Sequence, residues 1–223
     1  MSRTFQLSGG HPVLDFVNTL DYRFGPPPPV ELLTSYADLS DFVRQSGLAD
    51  ERMEAALRDA ARMPAAAAAL RTARELREAL AIWFYAVDGP GPDRAAAIRT
   101  LQRRFLDADR HRELAPSLDR TPVGESSAPL RLAWTWGRFG SHPRLPVWLL
   151  AHAAAGLLTS EHTDRIHQCK SADCRWLFLD MSRNHSRRWC DMKLCGNRMK
   201  ARRHQQRLKP GSSPAGSRAP STN

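Results

Sequence analysis

The sequence predicts a mainly α chain with a small β component (α+β): a helical N-terminal domain followed by a compact cysteine-bearing module. Three observations carry this. Apolar residues recur at three- and four-residue steps over most of residues 31–158. One stretch, Leu130, Leu132, Trp134 and Trp136, alternates with period two instead. The chain's four cysteines stand in two pairs, Cys169 with Cys174 and Cys190 with Cys195, after the helical pattern has stopped.

Residues 9–23 form a short apolar segment studded with His11, Asp15, Asn18 and Asp21. Pro26 to Pro29 read as a stiff, extended spacer. Tyr36, Leu39, Phe42 and Val43 mark a first helix ending near Gly47. A second covers residues 50–62, with Asp50 as its cap. Pro64 suits the first turn of a third and longest helix, whose inward stripe is Leu70, Ala73, Leu76, Leu80, Trp83, Phe84 and Val87, closed by Gly89-Pro90. A fourth, over residues 93–107, is expected to bury Ile98, Leu101, Phe105 and Leu106. The alternating stretch is a strand whose partner is residues 113–118, and residues 145–159 are apolar on most of their circumference, as a buried helix is. From Pro210 the chain is Ser, Pro, Gly and Ala without apolar periodicity, the composition of a disordered tail over 210–223.

The formal net charge of +10 is unevenly held. Residues 1–164 carry 19 Lys/Arg against 20 Asp/Glu, whereas residues 165–209 carry 13 against three. A near-neutral body joined to a basic module points to a polyanionic partner for that module. The domains expected are therefore residues 1–164 and 165–209, joined near 161–165. No basic start leads into an apolar run, and the most apolar stretch, residues 145–158, is too short to span a bilayer. A cytoplasmic, nucleoid-associated protein with no membrane partner is expected. In a reducing compartment paired cysteines are metal ligands more often than disulfides.

The spacing C-x4-C-x15-C-x4-C is the layout of a structural zinc site: each pair supplies two thiolates from one turn, and the arm between folds back to complete a tetrahedron. Residues 175–180 have strand character, Ser182 to Ser186 supply turn chemistry, and Arg187-Arg188-Trp189 return as the second arm of a hairpin. A basic helix follows, capped by either Asp191 or Asn197. Knuckle, hairpin and ligand-bearing helix is a treble-clef-like order. A module of about 45 residues with few large apolar side chains needs such a staple. Four thiolates leave no open position for a reacting water, so the one Zn2+ is structural.

These residues resemble a known family. Cys195-Gly196-Asn197-Arg198, preceded by Arg187 to Cys190 and followed by the basic helix, is similar to the CGNR zinc finger, whose motif covers residues 169–207 here. The N-terminal body, through Gly9-Gly10 and Leu14-Asp15-Phe16-Val17-Asn18-Thr19, resembles the ABATE domain, labelled a stress-induced transcription regulator. The resemblance implies DNA binding and transcription regulation.

The expected nucleic-acid contacts are Arg183, Asn184, Arg187, Arg188, Asn197, Arg198, Lys200, Arg202, Arg203 and Arg207. A merely solvated basic helix is the plain alternative, since these side chains do not share one narrow stripe. His11, Asp15 and Asn18 are candidates for a small-molecule effector pocket, or else for caps and turn braces. With no nucleophile signature or phosphate loop beside them, an enzyme is not expected. A homodimer is compatible with the body. Two other readings stay open: an RNA- or ribosome-associated module, and a zinc-ordered protein-interaction module on a metabolite-binding domain.

Overall fold

His11 opens the first helix, α1 (Pro12–Val17), by accepting a hydrogen bond at Nδ1 from the Val13 N–H (3.2 Å), with proline fixing the first helical position. A computed structural model of the chain describes residues 3–86, 92–116, 131–137 and 140–208. Leu14, Phe16 and Val17 of α1 are fully buried, and this short helix touches two longer helices over Ala66–Tyr85 and Leu145–Leu158. It leads into β1 (Leu20–Asp21), paired antiparallel with β2 (Val30–Glu31). Pro26 to Pro29 therefore lie in the connection of a two-stranded ribbon, which turns the chain back, rather than in an extended spacer.

Next come α2 (Tyr36–Gln45) and α3 (Glu51–Ala60). Ser35 and Asp38 cap α2 reciprocally, and the predicted stripe Tyr36, Leu39, Phe42 and Val43 is buried. Asp50 caps α3 as expected, accepting from the Met53 N–H at 2.9 Å. Asp50→Ala is expected to cost about 1 kcal/mol in a urea titration; no change would mean the exposed cap contributes nothing.

The longest helix is α4 (Ala66–Tyr85); Pro64 lies in the turn ahead of it, and Val87, Gly89 and Pro90 fall outside the described residues. Its Arg77, 3% exposed, makes two 2.7 Å bonds to the Glu31 carboxylate on β2 and one to Glu78, which also holds Arg23. These paired charges pin the β1–β2 ribbon to α4, and pairing is what makes a buried guanidinium tolerable.

α5 (Pro92–Asp109) lies between α4 and α6 (Leu145–Leu158). Leu101 is buried and Phe105 packs against the core, but Ile98 and Leu106 are 46% and 48% exposed, contrary to expectation. Ala97, Leu101 and Ala108 form the inward stripe, and at 100° per residue Ile98 and Leu106 lie roughly 80° and 160° away from its centre. β3 (Glu113–Pro116) and β4 (Leu132–Thr135) pair antiparallel, with Leu114 opposite Trp134. That is the predicted pairing; Leu118 and Leu130 fall outside the described residues. Among the described residues no helix is long and apolar enough to cross a membrane. The tail expected to be disordered, 210–223, lies outside them.

Candidate metal centre

After a 3-10 turn (Thr163–Arg165) the chain enters β5 (Ile166–Gln168), which pairs antiparallel with β6 (Leu177–Leu179). The first cysteine pair sits in the turn of this hairpin. The Cys169 N–H donates to the Trp176 carbonyl (2.8 Å), while Ser171 O accepts from the N–H groups of Cys174 (3.0 Å) and Arg175 (3.1 Å). Arg175, at φ 56°, makes the left-handed step that closes the turn.

The predicted hairpin is thus corrected. Residues 187–189 are not a strand pairing with 177–179; the partner is 166–168. The physical reason is that the other edge of β6 is taken by the body. Leu179 N–H donates to Gly9 O (2.7 Å), and Asn18 clamps Leu177 from both sides, Oδ1 accepting its N–H (2.9 Å) and Nδ2 donating to its carbonyl (3.0 Å). The chain instead turns back around Asp180, whose carboxylate accepts from Ser182 N–H, Ser182 Oγ and Arg187 N–H (2.9, 2.6 and 2.8 Å). Those bonds, the Ser182 hydroxyl foremost, hold its carboxyl down to about 2.

Cys190 and Cys195 flank the start of the last helix. Asp191 is the cap: its Oδ1 accepts from the N–H groups of Lys193 (2.7 Å) and Leu194 (3.0 Å), opening a π turn (Met192–Gly196) that runs into α7 (Asn197–Leu208). Asn197 has helical dihedrals and does not cap. At Gly196 a Cβ would press on the Trp189 ring (3.2 Å) and displace the flexible Met192 side chain.

All four Sγ atoms lie within 4.8 Å of one another, with Cys174–Cys190 at 3.5 Å and Cys190–Cys195 at 3.7 Å. A zinc–thiolate tetrahedron with bonds of about 2.3 Å has edges of about 3.8 Å, so the sulfurs are gathered as one ion requires. Cys169, Cys190 and Cys195 are buried and Cys174 half-buried. Hydrogen bonding to the Cys169 sulfur raises the thiols of Cys174 and Cys190, and burial raises Cys195, while Cys169 is lowered as their acceptor. Such a cluster cannot carry several negative charges by itself. A divalent cation reverses that and supplies the cross-link that orders the finger.

The polar residues of the N-terminal segment make their bonds at this junction. Asn18 clamps β6, and Asp15 Oδ1 accepts from the Gly9 N–H at 2.7 Å, so close that a side chain at position 9 would collide with it. His11 caps α1, and Asp21 takes the Trp176 Nε1–H at 2.7 Å. None of His11, Asp15 and Asn18 lines the crevice between body and finger, whose walls include Asp21, Tyr22, Cys174 and Arg198. The Tyr85 hydroxyl on α4 adds a bond to Arg175 O (3.1 Å). The sequence marked these positions as unusual without showing what they hold.

Burial pushes the Asp15 carboxyl up to about 6, against the lowering effect of the Gly9 and Ser8 N–H groups and the Arg187 charge. A folded-state value above the ordinary 3.8 means the group's contribution to stability is full below about pH 4 and is lost as pH rises through about 6. Asp15→Asn, which keeps an oxygen for the Gly9 N–H, is therefore expected to raise the Tm near neutral pH. The advantage should vanish at about pH 4; a pH-independent difference would contradict the assignment.

Of the expected nucleic-acid contacts, Arg183, Asn184, Arg188, Asn197, Arg198 and Lys200 are exposed. Arg187 is not free to meet phosphate. Its guanidinium bonds Ser8 O (2.9 Å), Trp189 O (2.9 Å) and Cys190 O, and stacks on the Phe178 ring at 4.6 Å. It ties the zinc turn to the body instead. Arg202 is paired with Asp173 beside the first knuckle. The side chains of Arg203 and Arg207 lie outside the described residues. Lys170 and Lys193, which are not among the expected contacts, are exposed around the same cluster. Only their nearness to the cysteines in sequence could have marked them.

A helical body clamping a four-cysteine cluster defines a two-part, zinc-binding protein. Residues 10–161 match the ABATE model, described as "putative stress-induced transcription regulator", and residues 165–208 match the CGNR zinc finger. The chain belongs to the ABATE family and carries a CGNR zinc finger with one structural zinc. Comparison with curated proteins returns no match.

Proposed function

We propose that this protein is a DNA-binding transcription regulator in which zinc fixes a cationic surface against a helical body. One observation supports it most: Lys170, Arg183, Arg188, Lys193, Arg198 and Lys200 are all exposed around the cysteine cluster and hold no ion pair among the described residues. Cations left unpaired on a zinc-ordered frame are available to phosphate oxygens. Asn184 and Asn197, also exposed, are suited to base-edge or sugar contacts. The role is binding and not catalysis: four thiolates saturate the metal, and the polar groups of α1 are engaged with backbone.

The experiment is selection of genomic fragments by the full-length, zinc-loaded protein, followed by sequencing of what it retains. A recurring sequence is expected, and excess structured RNA should not displace it. Equal, weak retention of every duplex at low salt would contradict specific regulation, and displacement by RNA would assign the surface to RNA.

A further inference from the structure

Away from the finger, an open groove of about 710 Å3 runs along α4 and α5. We propose that it binds a small amphipathic anion, a carboxylate head on an apolar chain or ring. The Glu75–Arg104 bridge (2.7 Å) marks the level at which the antiparallel helices meet, and Arg71 and Arg103 both lie toward that end of the groove. From Arg71 to Ile82 the helix rises about 16 Å, the length available to a ligand.

The charges around the groove are not equivalent. Glu75 is held by Arg104, and Glu78 by Arg23 and Arg77. Arg74 donates to the Leu33 carbonyl (3.1 Å) and faces Glu31 (3.4 Å). Arg71 and Arg103 make no ion pair among the described residues, although both line the groove. Two uncommitted guanidiniums at one end form a receptor for a carboxylate, with fork geometry that matches it. Beyond them the floor is Ala79 and Ala97, both buried, with Ile82 left 40% exposed as the wall, and Asp93 closes the far end, opposite the arginines. A charged head and an apolar body are what this polarity accepts.

The groove also has a physical route to the finger. Its wall residue Glu78 bonds Arg23, which shares the β1–β2 connection with Phe24, and Arg175 of the first knuckle stacks on Phe24 at 4.0 Å. One turn past Ile82, Tyr85 donates to the Arg175 carbonyl. An effector role for the ligand rests on the proposed regulator function; the binding site does not.

Isothermal titration of the zinc-loaded, full-length protein with octanoate tests the site, with octylammonium as the oppositely charged probe. Saturable 1:1 binding of octanoate is expected, with none for octylammonium. Arg71→Ala with Arg103→Ala should weaken it by about tenfold or more, as loss of charge-assisted bonds does. Ile82→Glu, at an exposed position, should abolish it while zinc content and helicity stay unchanged. No saturable octanoate binding, equal binding of octylammonium, or affinity indifferent to these variants would each overturn the proposal. Because no DNA enters the titration, its failure leaves the DNA-binding reading standing, and the converse also holds.

Discussion

Removing the zinc is expected to unfold the finger and to lower the melting temperature of the helical body with it. Structural zinc contributes about 10–16 kcal/mol in small finger peptides. The cluster around the metal has little else to hold it: besides the cysteines, its buried members are Trp176 and Phe178. The finger is not a separate bead, however. Leu177 and Leu179 are buried in the core of the body, and each fully buried leucine is worth about 1.5–3 kcal/mol. Chelation, or Cys195→Ser, should therefore strip hydrogen-exchange protection from the Leu177 and Leu179 amides. It should also weaken α1 (Pro12–Val17), which loses the strand it clamps. A body whose melting curve ignores the chelator would refute the shared core.

Asn18→Ala should cost about 2–6 kcal/mol in denaturant unfolding while leaving the zinc content unchanged. Asn18 is 2% exposed and supplies both partners of the Leu177 peptide groups, at 2.9 and 3.0 Å. Alanine leaves a buried N–H and a buried C=O unsatisfied, each worth about 1–3 kcal/mol. Asn18→Asp should be at least as harmful, because it faces the Leu177 carbonyl with a buried charge in place of a donor. A loss below about 1 kcal/mol would mean the clamp is dispensable.

The cysteine tetrad was legible in full because metal ligation depends on residue type and local spacing, both written in the sequence. Most helices were legible for a similar reason: the stripe of Tyr36, Leu39, Phe42 and Val43 is local, and Asp50 caps its own helix. What failed depended on distant partners. The strand expected at 187–189 lost its place to Gly9 and Asn18, which lie 170 and 159 positions away in the chain from the residues they bond. Arg187 looked like its cationic neighbours and differs only because Ser8 and the zinc-turn carbonyls surround it. Ile98 and Leu106 read as core from hydrophobicity alone, yet the buried stripe of α5 runs through Ala97, Leu101 and Ala108 instead. His11, Asp15 and Asn18 stood out as polar groups in an apolar segment, a correct signal of a special junction. That they serve the finger was hidden until the two ends of the chain were brought together.

The most direct test of the account is fluorescence anisotropy of a labelled duplex, titrated with zinc-loaded protein over a range of salt. Six exposed cations predict a log–log slope of about −4 to −6, less steep by about one for each of Arg188→Ala, Arg198→Ala and Lys200→Ala. Arg187→Ala should instead lower stability, and chelated protein should lose the affinity. Binding that ignores salt, survives chelation, or is absent at low salt would contradict a zinc-ordered DNA-binding surface.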